Sequence, residues 1–369
     1  MLSTWTTLNI TIALLILSFY STTSSAQKLT VAAQKCLLER IETADSSATI
    51  EQLRKHCLDE HAGDSDQEKN RQDDKIGQKS LSTPKHDGPY EGLSGKANRD
   101  GVISARMKQE KQTELNPYVI TPHRLNYVLP VQSTNRINTE PFASLEGYEE
   151  NLDDVEAKFQ LSVKIPLTAE DLYVEGDALY FAFTLEAWWQ VYSDNISKPF
   201  RETNYRPEIF YLMPLDWHPY GGNTGVSFGI EHQSNGRDQL LSRSWNRIYA
   251  NFLYEVDNAA FHFQPWWRIP EDEKEFPLDS DGDDNPDITD FMGHFELGGA
   301  YKWNNCELFF NSRQNFATHK GAIELGFTFP LWRKVRGYAT VFDGYGESLI
   351  DYNYRQTRIG LGFALTNIL

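Results

Sequence analysis

The chain is 369 residues long, room for one large barrel or two ordinary domains. Its 35 Lys and Arg against 52 Asp and Glu leave a net charge of −17. That balance repels nucleic acid and excludes it as a partner, while acidic loops of such a chain attract divalent cations.

Residues 1–26 read as a secretory signal: Ile10 to Tyr20 is an apolar run, and Ser24-Ser25-Ala26 supplies small residues before a cut at Gln27. The run is short for a spanning helix, and no later stretch reaches that length. If the mature chain crosses a membrane, it must therefore do so as a closed barrel, which alone satisfies strand backbones in lipid. Residues 27–65 follow as a small helical segment, with Leu37, Leu38, Ile41, Ile50 and Leu53 at helical spacing. An exported protein favours a disulfide between Cys36 and Cys57, whereas Cys306 reads as a lone small apolar residue. Residues 66–115 are rich in Asp, Gln, Lys, Ser and Gly and read as a disordered linker.

Beyond Asn116 the aromatic content rises and the signal becomes period-two alternation. Phe159, Leu161, Val163, Ile165 and Leu167 alternate with Gln160, Ser162 and Lys164. The same pattern runs through 179–191, 322–329 and 357–366. Each run has about the length of a tilted membrane strand. Soluble sandwiches also alternate, but here one face is almost purely apolar, the other carries charge and glycine, and Trp and Tyr gather near strand ends. Twelve candidate strands start near 118–131, 159, 179, 204, 224, 244, 259, 291, 306, 321, 334 and 355. The expected fold is thus all-β: a 12-stranded antiparallel transmembrane β-barrel over 116–369, with a disordered or helical N-terminal extension. Arg243, Arg247, Glu186, Glu324 and Arg358 are expected to fill its lumen with charge pairs.

One stretch breaks the apolar rule on the outer face. In the strand entering it, Val226, Phe228 and Ile230 form a row that His232 and Ser234 continue. On the next strand Asn246 aligns with Ile248, Ala250 and Phe252. Polar groups facing hydrocarbon cost free energy, so their presence calls for a reason. Ser, His and Asn side by side supply a nucleophile, a base and a group that fixes the imidazole tautomer. Spacing alone favours the plainer reading, interfacial residues that bond one another and lipid headgroups, because His and Ser two apart are common. Further on, Asp279, Asp281, Asp283, Asp284 and Asp287 crowd one loop, but the glycine falls at Gly282 and excludes an EF-hand register.

Residues 116–369 resemble the outer-membrane phospholipase A family of Gram-negative bacteria. The motifs that carry the resemblance are NPYVITPHRLNY (116–127), KFQLSVKIPL (158–167), SKPFRETNY (197–205), HQSNGR (232–237), SRSWNR (242–247), DDNPDIT (283–289) and YGESLIDYNY (345–354). The resemblance implies calcium-dependent hydrolysis of phospholipid acyl esters in the outer leaflet of the outer membrane, with phospholipase A1, A2 and lysophospholipase activity. It makes Ser234 the nucleophile, His232 the base, Asn246 its orienter and Gly236 an oxyanion donor. It assigns Ca2+ to the Arg237 carbonyl and Ser242, with Ser197 contributed by the second subunit of an active homodimer and Asp284 serving in the monomer. Lys198 departs from the family pattern by placing a cation beside Ser197. The rival reading is a non-catalytic outer-membrane pore or structural barrel.

Overall fold

The computed structural model describes residues 36, 101–113, 116, 119–276, 279, 282–332, 335–367 and 369. The chain divides into two compact units, 1–87 and 88–369, and everything described except Cys36 belongs to the second. The expected signal (1–26), most of the small helical segment (27–65) and Cys57, the expected partner of Cys36, lie outside the described residues. Cys306 is free.

A short helix, α1 (Val102–Lys111), precedes the strands β1 (Thr121–Pro122), β2 (Tyr127–Thr134), β3 (Val155–Pro166), β4 (Ala178–Trp189), β5 (Phe200–Leu215) and β6 (Asn223–Ser234). Then come β7 (Ser244–Val256), β8 (Ala259–Ile269), a one-turn helix α2 (Ile288–Met292), β9 (Phe295–Trp303), β10 (Cys306–Asn315), β11 (Lys320–Trp332), β12 (Val335–Tyr345) and β13 (Arg355–Ala364). Sequential antiparallel pairing runs from β3 to β13, and β13 pairs with β2 while β2 pairs with β3, so the sheet closes. β1 and β2 both pair with β3, at different parts of its length, and together fill one strand position. The result is the expected closed twelve-stranded barrel. Strand entries fall within about four residues of their expected positions: those expected near 159 and 204 begin earlier, at Val155 and Phe200, and the one expected near 291 begins later, at Phe295, because α2 occupies 288–292.

Alternation decides which side chains face out. Leu161, Ile165, Ile209, Phe228, Ile230, Ile248, Phe252, Leu325, Val341, Ile359 and Leu361 are all exposed on the outer wall. Such a band would be insoluble in water and marks the hydrocarbon-facing surface. No helix among the described residues is long and apolar enough to cross a membrane. The two-residue turns at one barrel end explain themselves: Asp257 and Asn304 take φ of 49° and 54°, which short polar side chains tolerate. The opposite end carries the long connections 135–154, 235–243 and 270–294. Short periplasmic turns and long surface loops are the habit of outer-membrane barrels.

The inside is charged and paired. Arg201, fully buried, forks onto Glu156 at 3.0 Å through both Nε and Nη2 and reaches Asp351 at 2.9 Å. Arg358, also buried, bonds Glu156 and lies 2.7 Å from Glu347. Lys158 joins Glu347 at 3.2 Å, and Arg206 and Arg247 both bond Glu231. The network ties β3, β5 and β13 to the 346–354 loop and occupies the lumen with paired charge. Arg243 does not join it. It precedes β7, donates to the Leu240 and Ser242 carbonyls at 2.9 and 2.6 Å, and stacks over Tyr352.

The expected disordered linker over 66–115 needs correction at its end. Residues 102–111 form α1, whose first amides are capped by Glu255: Ile103 N donates at 2.6 Å and Ser104 N at 3.2 Å. Its charges find partners in Arg106–Glu110 at 2.7 Å and Lys164–Glu110 at 2.8 Å, and Met107 packs against the buried core. A polar composition signals disorder only where no polar surface receives it. Here the polar barrel lumen does.

Candidate active site

The site forms where β6 and β7 leave the barrel. The pairing sets His232 directly opposite Asn246, and Ser234 opposite Ser244. On β6 the inward residues Glu231 and Gln233 are buried while His232 and Ser234 are half-exposed, continuing the row of exposed Phe228 and Ile230. Asn246 likewise continues the row of Ile248. All three therefore stand on the outer wall, as the alternation predicts.

His232 Nδ1 lies 2.8 Å from Asn246 Oδ1. On the other side, Asn246 Nδ2 donates to Glu271 Oε1 at 3.0 Å. Among the described residues, Ser234 Oγ and His232 Nε2 are not hydrogen-bonded to each other. Apo sites often hold this contact open until substrate arrives.

The chain after Ser234 is shaped by one buried side chain. Asn235 accepts from the backbone N–H groups of Arg237 at 3.2 Å and Arg243 at 3.0 Å, and donates to the Leu241 carbonyl at 2.8 Å. Asn readily bonds the backbone two residues on, and here it clamps both ends of the loop. Gly236 follows with φ +62°, the left-handed region, and a Cβ there would stand 3.2 Å from the Tyr205 ring. Gly236→Ala is expected to cost about 1 kcal/mol of stability from this backbone strain. A lowered thermal unfolding midpoint in detergent checks it.

Two of the expected calcium ligands meet. Ser242 Oγ donates to Asp284 Oδ2 at 2.5 Å. Lys274 Nζ holds the other oxygen of Asp284 at 2.5 Å, a partner that the sequence reading missed. Arg237 points its guanidinium away, donating to the carbonyls of Phe200 at 2.7 Å and Arg201 at 3.1 Å. Ser197 sits exposed in the 190–199 connection, beside Lys198 with φ 51°. It joins no described residue of this cluster.

Among the described residues of the acidic loop, Asp283 and Asp287 are paired rather than solvated. Asp283 is forked by Arg268 at 2.6 Å to both oxygens, and Asp287 accepts from Tyr352 at 2.7 Å. Asn285, fully buried, accepts from Ser244 N at 3.0 Å and so anchors this loop to the start of β7. No cluster of three His, Cys, Asp or Glu side chains able to hold a metal occurs among the described residues. Any cation here relies on hydroxyl and carbonyl oxygen beside a single carboxylate.

Fold and site together define an outer-membrane β-barrel that carries a serine, a histidine and an asparagine on its lipid-facing wall. The profile of the phospholipase A1 family matches residues 103–365, which includes most of α1 as well as the barrel. A phospholipase A1 of Escherichia coli (strain K12) is 38% identical over 269 residues, covering 73% of this chain and 88% of that one. A putative phospholipase A1 of Neisseria meningitidis is 36% identical over 258 residues, covering 68% of this chain and 66% of that one. Among solved structures, an active-site mutant of the outer membrane phospholipase A from Escherichia coli superposes with a TM-score of 0.66 at 35% identity, over 73% of this chain and all of that one. The Salmonella typhi outer membrane phospholipase, a dimer with bound calcium, gives 0.64 at 36% identity, over 71% and 97%. The chain belongs to the phospholipase A1 family, and it is an outer-membrane phospholipase, an ester hydrolase.

Proposed function

We propose that this barrel hydrolyses phospholipid acyl esters from the outer leaflet, with Ser234 as nucleophile, His232 as general base and Asn246 as its orienter. The observation that carries the reading is the 2.8 Å contact between His232 Nδ1 and Asn246 Oδ1 on the apolar wall. It commits Nδ1 to donating, so Nε2 bears the lone pair that can take a proton from Ser234. The substrate diffuses laterally to this wall, and no aqueous pocket is needed.

In the reading, Ser234 Oγ attacks the ester carbonyl as its proton passes to His232 Nε2. The backbone N–H of Gly236 donates to the resulting oxyanion. His232 then returns the proton to the departing glycerol oxygen, and water repeats the cycle to release the fatty acid. Covalent labelling tests the assignment: a fluorophosphonate should modify the wild-type protein, and peptide mapping should place the adduct on Ser234. An adduct elsewhere moves the nucleophile away from Ser234, and no adduct speaks for the pore or structural alternative.

The residues around Ser242 fit a calcium ion. Ser242 Oγ and Asp284 Oδ2 already converge to 2.5 Å, and hard oxygen donors of this kind suit it. Ser242 and the Arg237 carbonyl would hold it, joined by Ser197 of a second copy in a homodimer or by Asp284 in the monomer. When bound, it supplies positive charge for the oxyanion. The Salmonella dimer with bound calcium supports both the ion and the pairing of copies. Lys274 competes for the same carboxylate. Lys274→Gln is therefore expected to tighten calcium binding by the monomer roughly fivefold, the equivalent of about 1 kcal/mol of competing ion pair. Calcium titration of both proteins checks this.

A further inference from the structure

From this geometry we infer that Glu271 is a fourth member of the relay, a positioning residue that sets which end of the Asn246 amide faces His232. The inference rests on the reading of Ser234, His232 and Asn246 above and extends it by one strand.

The relay lies along one row across three neighbouring strands. His232 on β6 is opposite Asn246 on β7, and Asn246 is opposite Ile269, the last residue of β8. Glu271 comes two residues after Ile269, in the connection that leaves β8, and stands beside Asn246. There its Oε1 accepts from Asn246 Nδ2 at 3.0 Å.

An asparagine alone is an ambiguous orienter. Its amide can turn to offer His232 either an oxygen or an NH2 group. The NH2 orientation would demand an acceptor at Nδ1, put the proton on Nε2 and disable the base toward Ser234. A carboxylate only accepts, so Glu271 can bond only the NH2 end. With that end held, Oδ1 must face the imidazole, Nδ1 must carry the proton, and Nε2 is left free. Glu271 thereby does at one remove what a carboxylate in direct contact with the imidazole does elsewhere.

The account predicts an unusual sign for a double substitution. Glu271→Ala should lower kcat and the rate of fluorophosphonate labelling about tenfold, within the range for loss of an outer partner, and leave KM unchanged. Glu271→Gln should be milder, since its carbonyl still accepts from Asn246. Asn246→Asp sets a second carboxylate against Glu271 and should fall further than Glu271→Ala. Adding Glu271→Gln to Asn246→Asp should then restore activity at least fivefold, because the glutamine NH2 donates to the new carboxylate. A residue that merely stiffens the loop would make the double variant worse than Asn246→Asp. That result, or a Glu271→Ala labelling rate equal to wild type, overturns the inference and leaves the triad standing. If wild type itself is not labelled at Ser234, the triad falls and Glu271 with it. Heat-modifiable mobility on gels verifies that every variant is a folded barrel.

Discussion

Ser234→Ala is expected to lower phospholipid ester hydrolysis by roughly 10⁴-fold or more and to leave the barrel intact. Loss of the nucleophile from a serine relay removes nearly all of the rate that the relay supplies, because its members act as a unit. The structural cost should be small, within about 0.5 kcal/mol, since Ser234 is half-exposed at a strand end and its hydroxyl holds nothing in place. Activity measured beside thermal unfolding separates the two effects. A variant that is inactive because it is unfolded would show a lowered midpoint, and none is expected. His232→Ala should lose a comparable factor, and the double variant should be no worse than either single one.

The second large effect lies in the lumen. Asp351 sits in the 346–354 loop, fully buried, accepting from Arg201 at 2.9 Å, Ser348 at 2.7 Å and Asn138 at 3.1 Å, with Arg358 3.9 Å away. Asp351→Asn leaves those two buried guanidinium groups short of one counter-charge and should cost about 3 kcal/mol at pH 7. Burial alone would raise the pKa of this carboxyl, but the charges of Arg201 and Arg358 outweigh it and hold the group below the usual carboxylate range. A depressed folded-state pKa contributes stability that is complete above the unfolded value of about 3.9 and is lost as pH falls through the lower, folded value. The gap between wild type and Asp351→Asn should therefore be flat from pH 7 to about 5 and close only below about 4. Thermal unfolding of both proteins at stepped pH measures it. A gap that closes near pH 6 would point to histidine instead.

Much of this was legible in the chain itself, because a barrel writes its geometry in a period of two. Ile230, His232 and Ser234 had to share a face once β6 was a strand, and the structure places them there. The fold's departures from expectation share another cause. α1 looked disordered because, apart from the Arg106–Glu110 pair, the groups that hold it are distant in sequence: Glu255 and Lys164 stand 152 and 54 positions further along. Glu271 and Lys274 belong to the 270–294 connection, where neither alternation nor helical spacing constrains a side chain. The Glu271–Asn246 contact appears only once β8 pairs with β7, and the Lys274–Asp284 contact only once the connection folds back on itself. Asn235 did leave a local sign, an asparagine before a glycine in a tight loop, with the chemistry to bond its own backbone.

The central claim is metal-assisted ester cleavage on the lipid-facing wall. Its most direct test is the release of fatty acid from phospholipid in detergent micelles by the wild-type protein, with calcium and with EDTA. The account predicts release that depends on calcium, stops on chelation and returns when calcium is restored. Undiminished release in EDTA would contradict the calcium assignment. No release at any calcium concentration from a correctly folded barrel would contradict the catalytic reading of Ser234, His232 and Asn246.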